Sequence, residues 1–203
     1  MAYTPVPEQY RKSSIAIATY PYSEIADGMG TVNYLITRVQ TDNNSANDAY
    51  ILITNSGMIS EGLNGTNTAV SSATDIDIDL EFNLSKTIEG KCYVTLPVQI
   101  PAGITWTSKV TIRKWDGTSE TELVAQTTYQ SITAGGANNW SESIMQFDIP
   151  KTYFKAGDIF RINFAGTASA GSLWLYHDPQ GTTSDFTITG GTASVLVPFI
   201  LDI

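Results

Sequence analysis

The side chains best suited to chemistry in this 203-residue chain form a row of acids. From Thr74 to Leu84 apolar and acidic residues alternate, and the acids on one phase are Asp75, Asp77, Asp79 and Glu81. A calcium ion needs about six to eight oxygens at about 2.3–2.6 Å, whereas residues on one face of a strand stand roughly 6.5–7 Å apart. We therefore expect a solvated acidic face, and a Ca²⁺ site only where a neighbouring loop adds carbonyl ligands.

His177 is the only histidine and stands in the segment Tyr176-His177-Asp178-Pro179. A Ser-His-Asp site would need this imidazole as its base, with a nucleophile and a carboxylate from other parts of the chain. No Gly-x-Ser-x-Gly segment is present to supply that nucleophile. We expect a loop histidine in a turn that Asp178 and Pro179 open. A pair of glycosidase carboxylates stays open, because the two acids usually come from distant strands.

Cys92 is the only cysteine, so no disulfide can form within the chain. It shares a phase with Val94, Leu96, Val98 and Ile100, which indicates a buried small hydrophobic side chain and not a reactive thiol. One cysteine and one histidine far apart in sequence cannot supply a closed zinc site. No cofactor is expected.

Large aromatic side chains are the remaining candidates for binding. The chain has ten tyrosines and four tryptophans, which are Trp106, Trp115, Trp140 and Trp174. Exposed on one surface, such rings could stack on sugars, but large aromatics also fill β-sheet cores and protein interfaces. Core or interface use is the main expectation.

The elements that carry these residues follow a period of two, which is typical of half-buried strands. Roughly nine to eleven such strands, separated by turn signals and without a helical period, predict an all-β fold, a single antiparallel β-sandwich of jelly-roll type. The strands expected are Ser13–Tyr20, Val32–Val39, Tyr50–Thr54, Thr74–Leu84, Cys92–Ile100, Lys109–Trp115, Thr118–Ala125, a segment with Met145, Phe147 and Ile149 inward that Pro150 closes, Asp158–Phe164, Ser172–Tyr176 and Ser194–Ile203.

Asp116-Gly117 predicts the clearest hairpin, because this dipeptide favours a two-residue turn with positive φ at both positions. A two-residue loop sets Trp115 opposite Thr118 and Arg113 opposite Glu120. The second pair would add roughly 0.2–1 kcal/mol.

The two ends of the chain differ from its middle. Residues 1–12 contain Pro5 and Pro7 and predict an extended N-terminal arm, followed by one β-sandwich domain over residues 13–203. Ser194–Ile203 is apolar on both phases, so this strand is either central or covered by another subunit, while Pro198 favours an edge or a bulge. An apolar edge would favour a homo-oligomer.

Charge limits the partners. The formal net charge is −9, the basic residues are scattered, and none follows Arg161, so nucleic acid and anionic membranes are not expected partners. No apolar run approaches the roughly 20 residues of a membrane-spanning helix, and the N-terminus lacks the features of a signal peptide. We expect a soluble protein made in a cytoplasm.

Six phrases, taken together and in this order, resemble those of uncharacterised virion proteins of tailed bacteriophages and environmental viruses. Each phrase is a turn, a strand start or a strand core, and they are Tyr20–Gly30, Asp79–Leu84, Arg113–Gly117, Phe154–Asp158, Tyr176–Pro179 and Val197–Asp202. The resemblance implies a β-sandwich subunit of a virus particle, of the capsid decoration, vertex, collar or tail-associated type, present in several copies and made in the host cytoplasm.

The leading hypothesis is therefore a non-enzymatic virion structural protein that contacts other virion proteins and copies of itself. The alternative is a carbohydrate-binding module of a viral fibre or tail, which predicts at least two tryptophans exposed on one concave surface. A hydrolase is a third hypothesis, and it requires a pocket in which polar groups converge.

Overall fold

The computed structural model describes residues 18–19, 29–39, 49–54, 67–129, 131–135, 139–177 and 193–200. These ranges contain thirteen strands and no helix, so the all-β prediction is confirmed. None of them therefore forms a helix that could cross a membrane. The arm predicted for residues 1–12 lies outside the described residues, and the strand expected at Ser13–Tyr20 is described only at Ala18–Thr19.

The strands are longer than their sequence signals in most cases. In chain order they are β1 Ala18–Thr19, β2 Met29–Val39, β3 Ala49–Ile53, β4 Asn67–Ser71, β5 Ile76–Glu81, β6 Lys86–Ile100, β7 Thr105–Trp115, β8 Glu120–Thr128, β9 Ile132–Thr133, β10 Asn139–Phe154, β11 Ile159–Ala168, β12 Ser172–Tyr176 and β13 Ser194–Ile200.

All thirteen strands belong to one hydrogen-bonded network. Its main path runs β4-β12-β6-β13-β2-β3-β5-β11-β7-β8, with β1 beside β2, β10 beside β6 and β9 beside β7. The pairs are antiparallel except β3 with β5, which run parallel, so the prediction of a purely antiparallel fold is wrong at this one pair. The reason is topological, because the chain forms β4 beside β12 between these two strands. The two-layered jelly-roll arrangement stays a prediction.

One apolar core lies on the inward phase of these strands. In β5, Ile76, Ile78 and Leu80 are buried between exposed or half-exposed acids, as the alternation predicts. Burial of one large apolar side chain contributes about 1.5–3 kcal/mol. Strands that are not paired also meet, since the Tyr129 ring after β8 packs edge-on against Phe147 of β10 at 5.8 Å. The sheet therefore bends around a common core.

The β7–β8 turn is centred one residue later than predicted. The Asp116 amide donates to the Ser119 carbonyl at 3.2 Å, and the Asp116 carboxylate accepts from the amides of Ser119 and Thr118 at 2.8 and 2.9 Å. These bonds, with Ser119 the larger cause, hold the pKa of Asp116 well below its usual range. Gly117 adopts a φ of +91°, which an L side chain rarely tolerates. The central residues are thus Gly117 and Thr118.

Next to the turn, that displacement changes the hairpin register but not its faces. Trp115 lies opposite Glu120 and Arg113 opposite Glu122, so the predicted pairs are wrong by two positions on β8. Because side chains alternate with a period of two, Arg113 and Glu120 still share a face. They form a diagonal ion pair at 3.2 Å.

Two prolines also depart from expectation. Pro150 does not close its strand, because β10 continues to Phe154 with a register shift between Ile149 and Thr152 that absorbs the missing amide donor as a bulge. Leu196 is the last residue of β13 that pairs with β6, and Pro198, two residues further on, pairs only with β2. This strand is therefore central, and covering by another subunit is not required to explain its apolar phases.

The exposure of Leu84, in the loop after β5, also differs from the prediction. Leu84 follows the apolar phase of the strand in sequence, but its side chain is 59% exposed. The strand ends at Glu81, so the alternation no longer controls which side Leu84 occupies.

Gly166→Ala tests the packing of β11 on the core. A Cβ at this position would meet the ring of Trp106, which is fully buried and cannot yield easily. We expect the free energy of unfolding in urea to fall by roughly 1–3 kcal/mol. Gly135→Ala is the matched control, because its Cβ meets open space. Equal losses in the two variants would contradict this packing.

Candidate functional site

The acidic face of β5 is paired with a cation from β11. The register sets Asp79 opposite Arg161 and Asp77 opposite Asn163. The Arg161 Nε and Nη2 atoms donate to the two oxygens of Asp79, both at 2.8 Å, which is the strong bidentate geometry. Arg161 Nη1 also lies 2.6 Å from a Glu120 oxygen and 3.5 Å from Asp77. One guanidinium thus forms ion pairs with three carboxylates.

Asn163 continues this pairing one step along the strand. Its side chain is buried, and its Nδ2 donates to Asp75 and Asp77, both at 2.8 Å. Hydrogen bonding to Asp79 raises the pKa of Arg161 further above its ordinary value. Asp75, Asp77 and Glu81 are exposed and Asp79 is half-buried, as expected for a solvated face. Asp75, Asp77 and Asp79 also accept hydrogen bonds from β11.

The calcium alternative gains no support from this arrangement. Within the described ranges, no group of three or more His, Cys, Asp or Glu side chains could hold a metal ion. The carboxylates instead bond to β11, where Arg161 supplies a positive charge and Asn163 supplies hydrogen bonds.

A cleft of about 410 Å³ opens beside this face, between β3, β4 and β5. Asp75, Asp77 and Asp79 line one side, and Tyr50 and Thr68 are also part of its lining. Its volume lies in the range of small-molecule sites, about 300–1,000 Å³. Its polar groups are mostly hydrogen-bond acceptors and hydroxyls, which suit a polar ligand.

His177 lies behind one wall of the cleft. It follows β12, is 2% exposed, and its Nε2 lies 2.9 Å from the Thr68 hydroxyl oxygen. The same oxygen lies 2.7 Å from the Tyr50 hydroxyl, and the Tyr50 ring meets the imidazole edge-on at 5.5 Å. The sequence predicted His177 in a loop but not its contacts with Thr68 and Tyr50, and Asp178 and Pro179 lie outside the described residues.

An imidazole beside a hydroxyl is the geometry of a base-activated nucleophile. Here the Thr68 oxygen is shared with Tyr50, so the hydroxyl is tied into a chain of three groups. Such a chain satisfies polar groups that the fold encloses, which is a structural role.

Cys92 is fully buried, and burial raises its pKa to about 12. The thiolate is the reactive form of cysteine, so the side chain behaves as a small hydrophobic group. The prediction of burial is confirmed.

The tryptophans divide by exposure. Trp106 is fully buried and donates its indole N–H to Ser108 at 3.0 Å, and Trp115 is half-buried beneath the Arg161 guanidinium at 5.9 Å. Trp174 is 41% exposed, whereas the side chain of Trp140 lies outside the described residues. Two exposed tryptophans on one surface are therefore not shown.

A second charged cluster closes the β10–β11 turn. The buried Asp158 carboxylate accepts from Lys114 Nζ at 2.7 Å and from the Lys155 amide at 2.8 Å. The Lys114 hydrogen bond is the main cause that lowers the pKa of Asp158. The Gly157 amide donates to the Phe82 carbonyl at 2.7 Å, so this turn also holds the end of β5.

No protein-family model and no curated protein matches this chain. Among solved structures, two of a CocE/NonD family hydrolase from Staphylococcus aureus match with 9% and 8% sequence identity and TM-scores of 0.52 and 0.54. An aminopeptidase from a marine sediment Thaumarchaeota archaeon matches with 7% identity and a TM-score of 0.51. Each match covers 82% of this chain and 36% of the other, so the chain spans about a third of each enzyme.

At such low identity this likeness concerns the fold alone. A tailspike protein of bacteriophage CBA120 also matches, with 10% identity over 88% of this chain and 20% of the tailspike. Its TM-score is 0.34, which is too low to establish a shared fold.

Arg161→Met tests the pairing of the acidic face. Loss of the guanidinium leaves Asp77, Asp79 and Glu120 without their shared cation. We expect the free energy of unfolding to fall by about 1–3 kcal/mol, because the lost hydrogen bonds are charged and partly enclosed. Urea denaturation at constant salt measures the change.

Lys91→Met is the control for Arg161→Met. Its ion pair with Asp148 is exposed, with 55% and 77% of the two side chains accessible, so its loss should leave stability unchanged. Equal effects of the two substitutions would show that the Arg161 contacts add nothing beyond an ordinary surface pair.

Asp158→Asn should lower stability at neutral pH and have less effect in acid. A carboxyl whose pKa is lowered by folding stabilises the protein above its unfolded value, about 3.9, and this contribution is lost as pH falls through the lower folded value. The stability difference between wild type and variant should therefore shrink below about pH 4. Urea denaturation across that range is the measurement.

Lys114→Met provides the second arm of this experiment. If the Lys114 hydrogen bond is the main cause, Asp158→Asn should have a smaller effect in the Lys114→Met background than in wild type. Fully additive effects at every pH would contradict the assignment.

Proposed function

We propose that this chain is a non-enzymatic structural protein of a virus particle that acts through protein–protein contacts. The observation that carries the proposal is an uncharged strip on the outer side of β10, β6 and β13, in which apolar and neutral polar side chains mix. Two cross-strand rows form this neutral face, and their residues are Ile144, Thr95, Ser194, Gln146, Tyr93 and Leu196.

The neutral face is real outer surface and not core. Ile144 is 66% exposed, whereas its chain neighbour Met145 is buried. Tyr93 and Leu196 are half-buried between fully buried neighbours. Ile144 shares this face with the half-buried Tyr93 and Leu196, so the three leave adjoining apolar area in contact with water that a partner would remove.

Charged groups lie at the two ends of this strip and not within it. The Lys91–Asp148 pair lies at one end, and Glu142, opposite Pro97, lies at the other. An apolar centre with a polar rim is the usual composition of a protein interface. In contrast, the outer side of β5 and β11 carries the ion pairs of Arg161.

The groups that would suit catalysis have partners within the fold. Thr68 lies between His177 and Tyr50, and the Cys92 thiol is enclosed by the core. These contacts favour a structural role over the hydrolase hypothesis. The resemblance to virion proteins supplies the setting, in which many copies on a symmetric particle make individually weak contacts effective.

The direct test is mass spectrometry of purified, intact particles of the virus that encodes the chain. We expect the chain in those particles at several copies. Its absence from particles that contain the other virion proteins would end the proposal.

Matched variants test the neutral face itself. Tagged copies expressed during infection should enter particles as wild type and as Leu84→Glu, whereas Ile144→Glu should enter at least about tenfold less, because a charge would be buried at the contact. Leu84 is 59% exposed and receives the same charge outside the strip. Equal incorporation of both variants would show that another surface makes the contact.

A further inference from the structure

We propose that the outer surface around Trp174 binds a neutral glycan. This Trp174 surface consists of Trp174, Ala69, Gln99 and Tyr176. It is separate from the neutral face, because Gln99 and Thr95 lie about 13 Å apart along β6. The proposal therefore does not depend on the virion assignment.

The fold leaves one side of the indole open. In β12, Trp174 is 41% exposed, while Leu173 and Leu175 on either side are fully buried. The residue opposite Trp174 on β4 is Ala69, and the residue opposite it on β6 is Gln99. Ala69 is too short to cover the ring, so the aromatic surface stays accessible from that side.

Hydrogen-bonding groups stand beside the ring in a defined orientation. The Tyr176 hydroxyl donates to Gln99 Oε1 at 3.0 Å, which fixes the side-chain amide. The Nε2 atom of Gln99 carries two hydrogens and has no partner among the residues that the structure describes. An aromatic surface is thus placed next to an available donor.

This combination matches the chemistry of a sugar. A pyranose ring presents an apolar C–H face, which packs on an indole, and hydroxyls around its rim, which bond to amides. The cross-strand row Ala69, Trp174, Gln99 and Trp140 contains no charged residue. A charged ligand would find no counter-ion in this row, and an anionic ligand would also face the net charge of −9. A neutral glycan is therefore the favoured occupant.

The surface is already in place before a ligand arrives. Both β4 and β6 flank β12 through hydrogen bonds, so ring and amide sit on paired strands and not on a loop. Binding would therefore need little ordering of the protein, which limits the entropic cost.

Isothermal titration calorimetry of the full-length chain with cellohexaose, maltohexaose, laminarihexaose and chitohexaose tests the proposal. We expect saturable binding of at least one of them, with a change in tryptophan emission. Trp174→Ala should weaken that binding at least about tenfold, and Gln99→Ala should weaken it by a smaller factor. Tyr153 of β10 lies opposite Thr87, at the other end of β6, and is 55% exposed. Tyr153→Ala should therefore leave the binding unchanged.

Four outcomes would overturn the proposal. Three are no binding of any of the four sugars, binding that Trp174→Ala leaves intact, and binding that Tyr153→Ala weakens equally. The fourth is a tryptophan emission that changes with protein concentration alone and loses that change in Trp174→Ala, which would assign the surface to self-association. Unfolding curves of each variant separate lost binding from lost folding.

Discussion

A β-strand has only two edges for hydrogen bonding, and the way β6 uses them organises this molecule. One edge is taken by β10 over the full length of β6. The other edge is divided, since β13 pairs with Tyr93–Thr95 and β12 with Val98–Gln99. Between these segments stands Pro97, which has no amide proton to donate. A missing amide donor costs few hydrogen bonds at Pro97, because the pairing with β13 has ended there and the pairing with β12 has not begun.

This division gives the two outer surfaces their different chemistry. β13 brings Leu196 beside Tyr93 and completes the neutral face, whereas β12 brings Trp174 beside Gln99. At the other end of the network, β11 sets Arg161 against the acids of β5. Part of the net charge of −9 is offset where the acids are densest, because one guanidinium contacts several carboxylates there.

The predictable part of the fold is the part that depends on neighbours in sequence. The alternation in β5 identified its buried residues, and the phase of Cys92 identified a core side chain. The bounds of β12 also agree with the prediction. The predictions were wrong where a local interaction other than the expected one formed. At the β7–β8 turn, the Asp116 carboxylate accepts from the Ser119 amide, and the turn is centred one residue later. At Pro150 a bulge let the strand continue past a residue that normally ends one.

By itself, the sequence determined that the chain is all-β, which phase of most strands is buried, and that its acids share one face of β5. These are properties of a few consecutive residues, because a period of two is set by the geometry of one strand. Only the tertiary structure decided that Arg161 and Asn163 face those acids, that Thr68 joins His177 to Tyr50, and that Trp174 stands beside Gln99. Each of these contacts joins residues far apart in sequence, and no local pattern specifies which strands become neighbours in a sheet.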